Sequence, residues 1–187
     1  KKFEEAGFEI YIVGGSVRDL LTEKTPKDWD FTTNAKPEEI QKIFPESFYD
    51  NRFGTVGIAG KKFGKEWENQ VLEITTFRKE SGYSDRRHPD VVKFAKTLKE
   101  DLGRRDFTIN AMALRFAGNK PFELIDPFCG QEDLKNKLIR AVGDPNLRFA
   151  EDALRMIRAV RLASQLKFQI APNTHQAIVE NAPLVKR

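Results

Sequence analysis

The sequence has little of what staples or metal-loads a small fold. Cys129 is its only cysteine, so no disulfide can form within the chain, which fits a reducing compartment. With only 2 histidines beside it, a zinc site of the usual cysteine and histidine kind is excluded. No apolar run approaches the roughly 20 residues that a membrane span needs. The opening KKFEEAGFE lacks the apolar core of a secretory signal. Together these absences predict a cytoplasmic protein with no membrane partner. Internal repeats and low-complexity tracts are also missing. What remains is an ordinary globular composition, 40% hydrophobic and 32% charged over 187 residues, enough for a large domain and part of another. The net charge of +4 is compatible with a polyanionic partner. Arginines gather at Arg86-Arg87, at Arg104-Arg105, and at Arg155, Arg158 and Arg161.

Local patterns predict the order of elements. EIYIVGGS reads as a buried strand, Ile10 to Val13, running into a glycine turn at Gly14-Gly15 with Ser16 as the cap of a short helix. DWDFTT reads as the next strand, and Pro37 opens a helix at the favoured first-turn position. Thr55 to Gly60 and Gln70 to Phe77 read as the arms of a hairpin. Residues 79–100 are polar, basic and weakly periodic, which predicts a long flexible loop of the kind that is often functional. RRDFTINAMAL has helical spacing, and Phe122 to Ile125 reads as a short strand. From Asn146 on the pattern is helical, first LRFAEDALRMIRAVRLASQL and then a second helix after Ala171-Pro172. Strands with interspersed helices followed by pure helix give an α/β or α+β head and a helical segment, with a boundary near Asp144-Pro145.

Several groups of residues carry chemistry in combination. Gly14-Gly15 after a strand lets backbone N–H groups approach phosphate oxygens, and Arg18 one helical turn on can add charge-assisted bonds; an ordinary tight turn is the alternative. Asp28 and Asp30 share a strand face if the strand extends through both, and such a pair can hold magnesium with its preference for hard oxygen ligands. A solvent-facing edge is the alternative there. A phosphate cradle and a carboxylate pair so close in sequence are what nucleotidyl transfer needs. Glu73, amid apolar residues in VLEITTF, is the candidate third carboxylate. Arg104, Arg105 and Asp106 can cap a helix or hold a triphosphate. Asp152, Arg155, Arg158 and Arg161 fall along one face of a helix. They can form salt bridges within it, or Asp152 and Arg155 can offer an acceptor and a fork of donors to a base edge.

VGGSVRD, DWDFTT, LEITTFR, EDLGRRDFTINAMA and EDALRMIRAVR occur in the order of the head and neck of bacterial tRNA nucleotidyltransferases, the CCA-adding enzymes, which share this region with bacterial poly(A) polymerases. The resemblance covers nearly the whole chain. It implies an α+β fold: a polymerase beta-like nucleotidyltransferase head (1–145) with a mixed antiparallel sheet and flanking helices, then an all-helical neck (146–187). It implies template-independent addition of C, C and A to the tRNA 3′ acceptor end from CTP and ATP with Mg2+. In the matching motifs Asp28 and Asp30 resemble the metal ligands, and Glu73 the supporting carboxylate. Gly14, Gly15, Arg18, Arg105, Asp106 and Asn110 are similar to contacts of the nucleotide's phosphates and ribose. Asp152 and Arg155 resemble the protein template for the base, and Arg158 and Arg161 further nucleotide contacts. SGYSDRRHPDVVKF resembles the loop tied to the switch from CTP to ATP. Leu162 stands where the family often has phenylalanine. Family members continue into helical body and tail domains that grip the tRNA, so the resemblance implies that those domains of its own chain are missing partners here. An A-adding enzyme or a poly(A) polymerase is the nearest alternative, and a non-catalytic RNA-binding module is the alternative of another class.

Overall fold

The computed structural model describes residues 1–50, 54–85, 87, 89–117 and 120–186. Its frame is a seven-stranded sheet. The strands are β1 (Ile10–Val13), β2 (Asp30–Thr33), β3 (Phe48–Asp50), β4 (Thr55–Ala59), β5 (Val71–Thr76) and, after two strands that lie outside the sheet, β8 (Ala113–Ala117) and β9 (Lys120–Ile125), in the spatial order β3-β4-β5-β2-β1-β8-β9. Only the central β2–β5 pair is parallel; the rest are antiparallel, so the sheet is mixed. Helices α1 (Lys2–Glu5), α2 (Gly15–Leu21), α3 (Pro37–Ile43), α4 (Leu98–Gly103) and α5 (Gly130–Lys135) flank it. Alternation along β1 decides the layers: Ile12 points to the cluster of Val17, Phe107, Met112 and Ile139, while Tyr11 and Val13 point the other way, onto Phe77 and Leu102.

The expected hairpin is β4–β5, with two short 3-10 turns, Gly60–Phe63 and Lys65–Trp67, in its connection. Pro37 does sit in the first turn of α3. Four local expectations are corrected. Ser16 lies inside α2, whose cap is Gly14. The polar stretch after Phe77 is largely ordered into an antiparallel ribbon, β6 (Arg78–Ser81) with β7 (Val91–Phe94), and then α4. The ribbon is a separate two-stranded sheet that buries little on either face, so its sequence carries no apolar alternation. Arg86 and His88 of the connecting segment lie outside the described residues. RRDFTINAMAL forms a single 3-10 turn (Thr108–Asn110) and then β8, because an antiparallel bridge from Phe107 to Ala141 turns the backbone.

The fourth correction concerns the helical segment. The stretch from 146 breaks into α6 (Pro145–Glu151), capped by the Asp144 carboxylate, and α7 (Leu154–Leu166), with an extended residue, Asp152, between them. α8 (Pro172–Asn181) follows, ending in a 3-10 turn at Ala182–Lys186. A two-residue parallel pair ties the segment back: β10 (Leu138–Ile139) to β11 (Gln169–Ile170). Among the described residues no helix is long and apolar enough to cross a membrane.

Candidate active site

The antiparallel register of β1 and β2 sets Val13 opposite Asp30, so the turn that follows β1 closes directly over that aspartate. Gly14 has φ +73°, a conformation that a side chain resists. A Cβ there would also lie 3.3 Å from Asp30 Oδ2 and 3.2 Å from Arg105 Nη1. Glycine is therefore required where turn, carboxylate and arginine converge. Ser16 fastens the arrangement from inside α2: its hydroxyl donates to the carbonyl of Asp28 (2.9 Å) and accepts from the N–H of Asp30 (3.3 Å).

Asp28 precedes β2 and is exposed, so the two carboxylates are neighbours across a bend rather than along one strand face. Burial raises the Asp30 carboxyl above its ordinary range, Arg105 draws it back, and Asp28 pushes it up again. Glu73 is the register partner of Asp30 on β5 and, with Asp28 and Asp30, lines one concavity. It is exposed rather than buried in apolar surroundings. Among the described residues no three acidic, histidine or cysteine side chains close into a metal-holding group, so Glu73 stands beside the pair without completing a cage. Two hard-oxygen donors that repel each other and face open space suit a divalent cation such as magnesium, which keeps several waters or phosphate oxygens in its own shell.

A cleft of about 420 Å3 opens on the same side, lined by Gly14, Gly15, Asp30, Arg105, Asp106 and Asn110 from the head and by Asp152, Arg155 and Arg158 from the helical segment. One hydrogen-bonded chain runs along it. Arg18 Nη1 donates to Asn110 Oδ1 (2.8 Å), and Asn110 Nδ2 to Asp106 Oδ1 (3.3 Å). Asp106 Oδ2 pairs with Arg158 (3.3 Å). Arg18 also grips Asp19, so it reaches the cleft through Asn110. Asp106 accepts from the N–H of Phe107 as well (2.8 Å), but it does not cap the turn that follows, whose N-cap is Phe107 with no side-chain bond.

Asp152 and Arg155 are 8% and 4% exposed and meet at the break between α6 and α7. Asp152 Oδ1 accepts from the N–H of Leu154 (2.9 Å), and its Oδ2 lies 3.9 Å from both Arg155 and Arg158. Arg155 donates to Glu151 (2.8 Å) and to the carbonyls of Arg148 and Arg104 (both 3.3 Å). The salt-bridge alternative is realised in this group, and the pair also lines the cleft. The buried Nε atoms of Arg105 and Arg155 have no hydrogen-bond partner among the described residues. Arg161 departs from the group. It is exposed and lines a separate apolar groove with Met156, Ile157 and Val160, because each three-residue step along α7 turns 60° short of a full circle.

Arg104, which the resemblance did not carry over as a nucleotide contact, lines the same cleft, as do Glu80 and Tyr83, which sequence reasoning did not single out. Arg104 bonds Asp101 and Glu80 (2.9 Å each), and Tyr83 donates its hydroxyl to Glu80 (3.0 Å). Burial and then Glu80 push the Tyr83 hydroxyl up to about 12.

The family profile described as "Poly A polymerase head domain" matches residues 10–140. The chain belongs to that family. Relatives of this chain include the CCA-adding enzymes of Lactobacillus helveticus, 53% identical over 185 residues, and of Enterococcus faecalis, 51% identical over 187. These alignments take in 98% and 100% of this chain but 44% of each relative, so the chain spans less than half their length. Among solved structures, a Bacillus stearothermophilus CCA-adding enzyme in complex with CTP superposes with a TM-score of 0.82 at 42% identity, over 98% of this chain and 42% of that one. A tRNA nucleotidyltransferase complexed with a primer tRNA and an incoming ATP analog superposes at 0.75 and 34%, over 97% and 48%. This chain shares the nucleotidyltransferase head fold with both of these structures.

Proposed function

We propose that this chain is the catalytic head and base-reading neck of a CCA-adding tRNA nucleotidyltransferase, divided near Asp144-Pro145 and acting in the cytoplasm with further body and tail domains. One observation carries the reading: a single cleft joins a glycine turn, a carboxylate and an unsatisfied arginine donor on one side to an acceptor and a donor fork on the other. The names of the relatives, and the CTP and ATP-analog complexes among the superposed structures, agree with it.

On this reading the 3′-hydroxyl of the tRNA attacks the α-phosphate of CTP or ATP and pyrophosphate leaves. Asp28 and Asp30 would hold magnesium, which when bound would supply charge neutralisation and activation at the attacking oxygen. Gly14 and Gly15 let backbone N–H groups close on the phosphates. Arg105 adds charge beside Asp30. Asp106 and Asn110 meet the ribose, Asp152 and Arg155 select the base, and Arg158 braces Asp106. Glu73 tunes the carboxylate pair from the adjacent strand. Arg18 acts through Asn110, and Arg161 takes no part in nucleotide contact.

The test is extension of a tRNA lacking its CCA end by the full-length enzyme, with magnesium and with CTP, ATP or both. Two C residues with CTP alone, and CCA with both, is the expected outcome. Products carrying only A would assign the chain instead to the A-adding enzymes or poly(A) polymerases. RNA binding without magnesium-dependent extension would assign it to a non-catalytic module.

A further inference from the structure

Asp101, in α4, is fully buried and satisfied by donors from four directions. Its Oδ1 accepts from the backbone N–H of Arg78 (3.2 Å) and from Nε and Nη2 of Arg104 (3.0 and 2.9 Å). Its Oδ2 accepts from Arg105 Nη2 at 3.3 Å and shares the Thr32 hydroxyl, also at 3.3 Å, with the nearer Thr75 carbonyl at 3.1 Å. Burial raises this carboxyl, but Arg104 and Arg105 outweigh it and hold it below the ordinary carboxylate range. A permanent anion therefore stands behind the cationic wall of the cleft.

Its partners are the parts the chemistry needs. Arg105 is held by Asp101 through Nη2, while Nη1 packs where Gly14 leaves room for it and Nε is buried without a partner among the described residues. Thr32 lies two residues beyond Asp30 on the same face of β2, so one carboxylate fixes both the strand that carries Asp30 and the arginine beside it. Through Arg104 the contact continues to Glu80, whose side chain is only 8% exposed, and from there to Tyr83, just after β6 on the same cleft. We infer that Asp101 is a positioning residue for nucleotide binding: it sets Arg105 against the Gly14 turn beside Asp30 and, through Arg104 and Glu80, sets the β6–β7 wall of the cleft. It touches no substrate itself. The inference rests on the nucleotidyl-transfer reading.

A merely fold-holding ion pair predicts lower stability with unchanged nucleotide affinity. A positioning role predicts a loss of affinity that depends on Arg105. The experiment is a double-mutant cycle in the full-length enzyme, with Asp101→Asn, Arg105→Ala and the pair together. Equilibrium binding of CTP and ATP is read alongside thermal melting. Each single variant is expected to weaken binding about tenfold, the size of one charge-assisted contact. The pair is expected to lose little more than Arg105→Ala alone. Unchanged affinity in a folded Asp101→Asn variant, or fully additive losses, would overturn the inference. If Asp101→Asn does not fold, Thr32→Val carries the test, since at similar volume it removes the hydroxyl that Oδ2 shares with the Thr75 carbonyl. It is expected to weaken binding by a smaller factor, about two- to threefold, an effect that vanishes in the Arg105→Ala background; unchanged binding overturns the inference here too. Failure of the unsubstituted enzyme to bind either nucleotide would instead overturn the nucleotidyl-transfer reading, and this inference with it.

Discussion

At Asp30, burial disfavours the charged form, Arg105 favours it, and Asp28 disfavours it again, leaving the carboxyl above its ordinary range. A carboxyl raised in the folded state binds protons more readily there than in the unfolded chain, so stability falls as pH rises through the folded value. Asp30→Asn removes that cost. We expect the variant to melt higher than the parent at neutral pH, with the gap closing as pH drops through the raised value, and to have lost nucleotidyl transfer. Melting curves across pH check the sign; a lower melting temperature at neutral pH would contradict the electrostatic argument. Asp28 is exposed, so Asp28→Ala should leave the free energy of unfolding within about 0.5 kcal/mol of the parent while abolishing magnesium-dependent extension. Turnover retained in that variant would remove Asp28 from the metal site.

At the scale of elements, the break between α6 and α7 concentrates the informative geometry. Asp152 caps the first free N–H of α7, and removing such a cap costs about 1 kcal/mol. Asp152→Ala should therefore lower stability modestly, and on the base-reading assignment it should loosen the choice between CTP and ATP more than it slows transfer. Competition assays with the two nucleotides measure this, and an unchanged preference would remove Asp152 from base selection. Elements with local signals were legible in the sequence: the glycine turn after an apolar run, Pro37 in a first turn, the β4–β5 hairpin. The α6–α7 break was not, because EDALRM is made of residues that also continue a helix, and only the capping bond ends it there. The β6–β7 ribbon was hidden by its exposure on both faces. Asp101 falls between the polar stretch 79–100 and RRDFTINAMAL, where the sequence pattern singled out no role for it. Its spacing of three and four residues from Arg104 and Arg105 was a readable hint, but Arg78 and Thr32 lie 23 and 69 residues away and only the fold brings them in.

For the whole molecule, the helical segment does not stand apart from the sheet. One apolar cluster holds Ile12 and Phe107 together with Ala159 and Leu162, and β10–β11 stitches the two regions by backbone. Arg148 and Arg155 donate to the carbonyls of Gly103 and Arg104. We expect residues 1–187 to unfold in one cooperative transition, and residues 1–145 alone to unfold at a lower temperature, because Phe107 and Ile139 lose their cover. Calorimetry distinguishes this from two independent transitions, which would show that the regions fold separately.

The glycine turn, the carboxylates and Arg105 all precede residue 107, whereas Asp152 and Arg155 sit at a kink well over a hundred residues after Asp30, and the two sets meet only across the cleft. If the first set performs the reaction and the second reads the letter, inheritance can edit them independently. A lineage could change its alphabet by altering a few residues at one bend, leaving the reaction machinery as it was.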